Sequence, residues 1–370
     1  MKLVILILSI SLFALPNFAS ELILSKAEAL NQGFKKTISK THSIERSFKR
    51  AKKPTSELTK NSLPWPVEFI DQQHTIGNSM VEYQNYSNEA YFHGGDDLRV
   101  TSAAEVKAPI DGFLEGHYYT YVTDPNTGQL TKYSKPMSEG GDDLYFEISI
   151  QTSNHYSFEF HHVNPKTLPQ PIYDMILNGG GSIHQGDLIG YTSTWPVVRY
   201  GDSYHHIHYN IISSTGVNLN PEYYSHELTD TTAPEINHIF AIYRDKKIEV
   251  LNQKLSAVPE EIILESTDKK GNNIYPLPPV FIEARWNENN KSGWDFTQNL
   301  FSNSKQFPDI RNVYATNLRL SDGRTFSTEG NYNNVQFLFR LKIPPTAIGP
   351  ITLTVKDVSG NTKTRVLNIE

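Results

Sequence analysis

The chain contains no cysteine among its 370 residues. Disulfides and thiolate metal sites are therefore excluded, so any bound metal must be held by histidine and carboxylate. Long apolar runs are nearly as scarce. Residues 3–15 form the one sustained stretch, preceded by Met1-Lys2 and followed by Pro16-Asn17-Phe18-Ala19-Ser20. That order reads as an export signal over residues 1–20, too short and wrongly flanked for a stable bilayer span. Nothing later is apolar for long enough to cross, so the mature chain is expected to have no transmembrane segment. A strong excess of one charge is also missing. The net charge of −6 predicts neither nucleic-acid binding nor a strong membrane attraction.

Charge is present locally. Residues 21–60 carry ten basic against four acidic side chains, a net +6. Residues 21–64 are expected to be a basic N-terminal arm, helical or flexible, or a pro-segment. From Trp65 onward short β-type runs alternate with turn residues, as in Leu144-Tyr145-Phe146-Glu147-Ile148-Ser149-Ile150 and Gly140-Gly141-Asp142-Asp143. Short strands without a long helical period predict an antiparallel all-β region over 65–228. A polar, Pro-ended linker at 229–233 then precedes a second strand-rich unit, 234–370. It is expected to be a β-sandwich that closes on a hairpin around Ser359-Gly360-Asn361, and its opening and this turn are similar to bacterial immunoglobulin-like modules.

Three histidine motifs carry chemistry. In His93-Gly94-Gly95-Asp96-Asp97 the glycines exclude a regular helix, so a tight loop must bring His93 and Asp97 together. Imidazole nitrogen and carboxylate oxygen both suit zinc. In His206-Ile207-His208 the two histidines share one face of a strand while Ile207 takes the other. In Phe158-Glu159-Phe160-His161-His162-Val163, strand alternation allows only one of His161 and His162 to face a site. Each motif alone also fits surface or hydrogen-bonded histidines. The tyrosines at 118, 119, 121 and 133 fit either a substrate-gripping rim or cross-strand packing.

Taken in order, the motifs resemble those of the lysostaphin/LytM-type zinc peptidases, the M23 family. His93 and Asp97 match its HxGxD-type motif, His206-Ile207-His208 its HxH, and Phe160-His161-His162-Val163 its intervening strand histidine, aligned on His162. Ala108-Pro109-Ile110-Asp111-Gly112 and His184-Gln185-Gly186-Asp187-Leu188-Ile189-Gly190 resemble its flanking turns. The likeness spans residues 80–215. It implies a LytM-like all-β fold, Zn2+ on His93, Asp97 and His208, and His162 and His206 as non-ligand catalysts. It further implies an exported, periplasmic or secreted metalloendopeptidase that hydrolyses amide bonds in peptidoglycan peptides. A non-catalytic LytM-like regulator of another wall hydrolase, and a peptidase for Gly-rich extracellular proteins, are the alternatives. Two departures bear on this: Asn210 replaces a frequently acidic residue and could alter support of the ligands, and the loop through Trp195 to Arg199 is lengthened.

Overall fold

The computed structural model describes residues 58–69, 76–86, 89–123, 130–270, 273–300, 309–329 and 335–370. The expected signal at 1–20 and most of the basic arm lie outside the described residues. The rest is an all-β arrangement with a few short helices.

Nine strands make the first sheet: β1 (Ile76–Asn78), β2 (Asp96–Arg99), β3 (Gly112–Thr123), β4 (Leu130–Pro136), β5 (Phe146–Gln151), β6 (Ser157–His161), β7 (Gly181–Ile183), β8 (His206–Ile212) and β9 (Asn218–Leu219). Their order is β1-β2-β8-β6-β5-β3-β7, with β4 added beside β3 and β9 beside β8. All their pairings are antiparallel.

Strand alternation divides the sheet into an apolar and a polar face. Leu98, Ile207, Tyr209, Ile211, Phe158, Phe160, Ile148, Ile150 and Leu114 are fully buried in one cluster. Their cross-strand pairs confirm the phase, with Ile207 opposite Leu98, Tyr209 opposite Phe160 and Ile150 opposite Phe158. The helix α1 (Gln170–Leu177) joins that cluster through Ile172 and Ile176. Gly116 of β3 makes room for it, since a Cβ there would meet Ile176 Cδ1 at 2.7 Å. The intervening polar positions lie on the other face, His208, His161 and Glu147 among them.

Two further sheets follow. β10 (Glu235–Ile242), β11 (Lys247–Glu249), β13 (Glu261–Thr267) and β16 (Leu338–Lys342) pair in the order β11-β10-β13-β16. β12 (Lys254–Leu255), β14 (Phe281–Asn287), β15 (Asn290–Asp295), β17 (Ile351–Lys356) and β18 (Thr362–Ile369) pair as β12-β18-β17-β14-β15. Between them lies a core containing Ile262, Leu264, Ile282, Ala284, Phe339, Leu341, Leu353 and Val355. The expected terminal hairpin is β17–β18, with Thr354 opposite Thr364.

Packing crosses the stretch that the sequence reads as a linker. Met80, Val81 and Tyr83 belong to the core of the later sheets, and Leu277 belongs to that of the first. Tyr314 donates from its hydroxyl to the Val81 carbonyl at 2.8 Å, and Asn273 Nδ2 donates to the Ile76 carbonyl at 2.9 Å.

The tightest approach is at Gly95, where an added Cβ would stand 2.2 Å from the Tyr209 carbonyl oxygen and 2.1 Å from Asn210 Oδ1. Gly95→Ala must therefore push β2 away from β8. The expected cost is about 1–3 kcal/mol of stability, read by denaturant unfolding. A variant as stable as the parent would show that the two strands tolerate separation.

Candidate functional site

The polar face is organised by one register row. Across β1, β2, β8, β6, β5 and β3, successive cross-strand partners are Asn78, Asp97, His208, His161, Glu147 and His117. Directly opposed residues share a face and lie about 4.5–5.5 Å apart at Cβ. Register alone therefore sets Asp97 beside His208 and His208 beside His161. His206 lies two residues along β8, on the same face.

His93 joins from the loop before β2. Its amide donates to the Glu82 carbonyl at 2.8 Å, and Gly94-Gly95 carries the chain from there into the strand. His93 Nε2 stands 3.2 Å from Asp97 Oδ1, and His208 Nδ1 stands 2.9 Å from the same oxygen. One donor atom from each of the three residues falls within 4.8 Å of the other two.

This donor set fits a divalent metal. Two ligands each about 2.1 Å from a tetrahedral ion lie roughly 3.4 Å apart, close to the spacings observed. His93 Nδ1 hydrogen-bonds the Ser79 carbonyl at 3.0 Å, which puts the ring proton there and the lone pair on Nε2. Burial opposes ionisation of Asp97, yet His93, His206 and His208 hold it well below the usual carboxylate range. Burial also works against a charged His93, but Asp97, with Glu82 and the Ser79 carbonyl, lifts it above its ordinary value. Burial depresses His208. The result is a carboxylate ringed by imidazoles, an arrangement that accepts a cation.

His206 and His162 form the second part of the cluster. Their ring centroids are 4.9 Å apart, and His206 Nε2 lies 3.8 Å from Asp97 Oδ2. His206 Nδ1 meets the Tyr204 carbonyl at 3.0 Å and His162 Nδ1 the Leu144 carbonyl at 2.6 Å. Both rings thus donate from Nδ1 to backbone and keep the lone pair on Nε2. Burial lowers the pKa of each, well below the ordinary value for His162.

The expectation that alternation admits only one of His161 and His162 fails. β6 ends at His161, and His162 adopts φ 68°. That left-handed turn brings the next side chain back toward the same cluster instead of sending it through the sheet. His161 packs its ring 4.9 Å from that of His208, while His162 packs against His206 and, at 4.3 Å, Trp195. His161 is engaged by Glu147 Oε2 at 3.1 Å and Glu159 Oε2 at 3.6 Å. These three could also hold a metal by spacing, but the Lys132 ammonium is already ion-paired with both carboxylates.

Several neighbours of the cluster were not singled out by sequence. Tyr204 donates from its hydroxyl to Asp97 Oδ2 at 3.1 Å and lies against Asn78 Oδ1. Arg199, almost wholly buried, reaches the Gly77 carbonyl at 3.2 Å and Glu82 Oε1 at 3.6 Å. Burial pushes Glu82 up to about 7 despite Arg199. Tyr204 stands before β8 begins, so no strand alternation in the sequence singles it out. Asn210 faces His161 Nε2 at 3.3 Å and Glu159 rather than the three ligand candidates. The tyrosines divide: Tyr119 is buried 4.9 Å from the His161 ring and Tyr118 against Phe146, whereas Tyr121 and Tyr133 are exposed.

No family model and no curated protein sequence matches the chain. Among solved structures it is similar to Helicobacter pylori Csd3, at 13% identity and TM-score 0.27, over 45% of this chain and 35% of that one. It is also similar to chains of two SpoIIQ–SpoIIIAH complexes. One is described as pore-forming, at 15% identity, TM-score 0.29 and coverage of 46% and 94%. The other stands at 17%, 0.28, and 43% and 96%. The chain thus spans about a third of the Csd3 chain it matches.

Tyr204→Phe removes the hydroxyl that steadies Asp97. Outer contacts of this kind typically govern metal affinity by about 10–100-fold. The variant is expected to bind added Zn2+ that much more weakly in competition with a chelator of known affinity. Unchanged affinity would mean that Asp97 is held without Tyr204.

Proposed function

We propose that the chain is an exported zinc-dependent endopeptidase that hydrolyses amide bonds in peptidoglycan peptides. The observation that carries the reading is the antiparallel pairing of Asp97 with His208, closed by His93 into one two-His, one-Asp donor set. Catalytic zinc sites use three protein ligands and leave a position open. His93 Nε2, Asp97 and His208 Nδ1 are the proposed ligands. A zinc ion bound there would supply Lewis-acid polarisation of the scissile carbonyl and make water a nucleophile near neutral pH.

The remaining steps belong to the chain's own residues. His206, with its lone pair on Nε2 and that atom turned to Asp97, is placed to take a proton from water. The proton taken up by His206 passes on to the departing amine, and His162, presenting the same tautomer 4.9 Å away ring to ring, can share that proton on its free Nε2 and so steady charge on the reacting centre. Trp195 packs over both rings, 4.3 Å from His162 and 5.1 Å from His206, and limits their access to bulk water. The lengthened loop from Trp195 thus has a role in this reading beyond connection.

The substrate class is supported by the motif resemblance to the lysostaphin/LytM-type peptidases. In this reading residues 1–20 direct export, residues 65–228 form the peptidase part and the sheets of 234–370 position it. Among the described residues, no helix is long and apolar enough to cross a membrane. Retention of all five residues weighs against the non-catalytic regulator.

Metal analysis of the purified chain, coupled to digestion of sacculi, tests the assignment. Equimolar zinc is expected, with cleavage lost on chelation and restored by Zn2+. His208→Ala should lose both zinc and cleavage. His162→Ala and His206→Ala should retain zinc while turnover falls about 10²–10⁴-fold. Wall cleavage by His208→Ala at the parent rate would sink the assignment.

A further inference from the structure

A second cluster lies far along the sequence from these histidines, at the ends of β13 and β17 and in the stretch between the first sheet and the later ones. Asp230, Asp268 and Asp357 each offer one carboxylate oxygen, and the three oxygens lie within 4.8 Å of one another. Asp268 and Asp357 are 1% and 3% exposed. Asp268 Oδ1 is buried with no hydrogen-bond partner, as is Asp230 Oδ2. Leaving such atoms unpaired costs the full desolvation of the group.

The rest of the cluster is already engaged. Asp357 accepts from the Asn361 amide at 2.9 Å and from its side chain at 2.8 Å, and Asn361 Nδ2 also donates to the Asp230 carbonyl at 3.0 Å. The nearest cation, Lys270, is ion-paired with Glu222, both nearly inaccessible to solvent. That ammonium also faces Asp96 and Asp268. Burial, together with Asp357 and Asp230, makes a charged Asp268 costly despite Lys270. Four carboxylates, those of Glu222, Asp96, Asp268 and Asp357, therefore share one ammonium, and one buried oxygen each of Asp230 and Asp268 stays without a partner.

We propose that Asp230, Asp268 and Asp357 bind a calcium ion that clamps the 229–233 stretch to the ends of β13 and β17. The donors are all hard oxygens, which suit Ca2+ over zinc. Bonds of about 2.3–2.6 Å allow oxygens around Ca2+ to stand up to nearly 5 Å apart, a limit that the three carboxylate oxygens stay within. Waters complete the coordination. The site is independent of the proposed zinc ligands and of the proposed peptidase activity.

The full chain, stripped of metal by chelation, is titrated with CaCl2 by calorimetry and followed by thermal unfolding. One equivalent of Ca2+ is expected to bind and to raise Tm by several degrees at millimolar concentration, as ligand linkage requires. Asp268→Asn should abolish the Ca2+-dependent rise yet melt no lower than the calcium-free parent, because it removes a buried charge without a partner. Asp230→Asn, at the more exposed end, should keep the fold and weaken Ca2+ about tenfold or more, following the loss of one ligand charge. His208→Ala should respond to Ca2+ like the parent, which separates this site from the histidine cluster. Absence of any Tm response in the parent, or an undiminished response in Asp230→Asn, overturns the proposal. Should Asp268→Asn fail to fold, Asp230→Asn alone decides.

Discussion

Across β2, β8, β6 and β5, cross-strand partners run Asp97, His208, His161 and Glu147, and that register keeps both the core and the candidate site in being. A slip of β8 by one residue would turn His206 and His208 into the apolar layer and lift Ile207 and Tyr209 onto the polar face. The penalty is paid on both sides of the sheet. Fully buried Ile207, Tyr209 and Ile211 would lose contact with Leu98, Phe160 and Phe158, and imidazoles would be left unsatisfied among hydrocarbon. The apolar alternation of β8 is therefore what places the two histidines.

Gathering so many polar groups in a buried row has an electrostatic cost, and the row is graded to meet it. At one end Asp97 is held ionised against burial by His93, His206 and His208, and the Nδ1 atoms of His93 and His206 are turned to the backbone carbonyls of Ser79 and Tyr204. At the other end Glu147, held below its ordinary value with burial opposed chiefly by His161, is matched by Lys132 and lies 3.2 Å from His117. The two ends differ in one respect. The Glu147 end brings its own permanent cation, whereas the three imidazoles at the Asp97 end are poised as electron-pair donors. A dication is the natural complement of the second and is superfluous in the first.

The all-β character, the paired faces of β8 and the convergence of His93, Asp97 and His208 could be read from alternation and motif order. Three features could not. His162, expected at the site by resemblance, reaches it through a positive φ and in company with His161, and nothing in a His161-His162 doublet declares that the strand ends between them. Glu147 and His117 enter by register from strands whose partners are distant in sequence, so their nearness to His161 is invisible until the sheet is assembled. Tyr204 and Arg199 support the site from a loop whose length the motifs leave open. In the first case the missing information is a local backbone turn, and in the other two it is long-range geometry rather than residue chemistry.

The same long-range geometry bears on how the two halves depend on each other. Met80 and Val81 sit between Asn78, a partner of Asp97, and Glu82, whose carbonyl fixes His93, yet they pack into the core of the later sheets. On the other side, Asn273 holds the Ile76 carbonyl and the Tyr275 ring lies 4.4 Å beneath the Arg99 guanidinium. The Met80 amide in turn donates to Asp96 Oδ1, next to the ligand candidate Asp97. Removing 234–370 would thus strip the apolar support from the loop that presents His93 and from the strand end that presents Asp97. A loss of activity on such a deletion would report a collapsed histidine cluster as readily as a lost binding module. Point changes on the outer faces of β15 or β18, away from Met80, Val81 and Tyr275, separate the two effects because they leave the shared core intact.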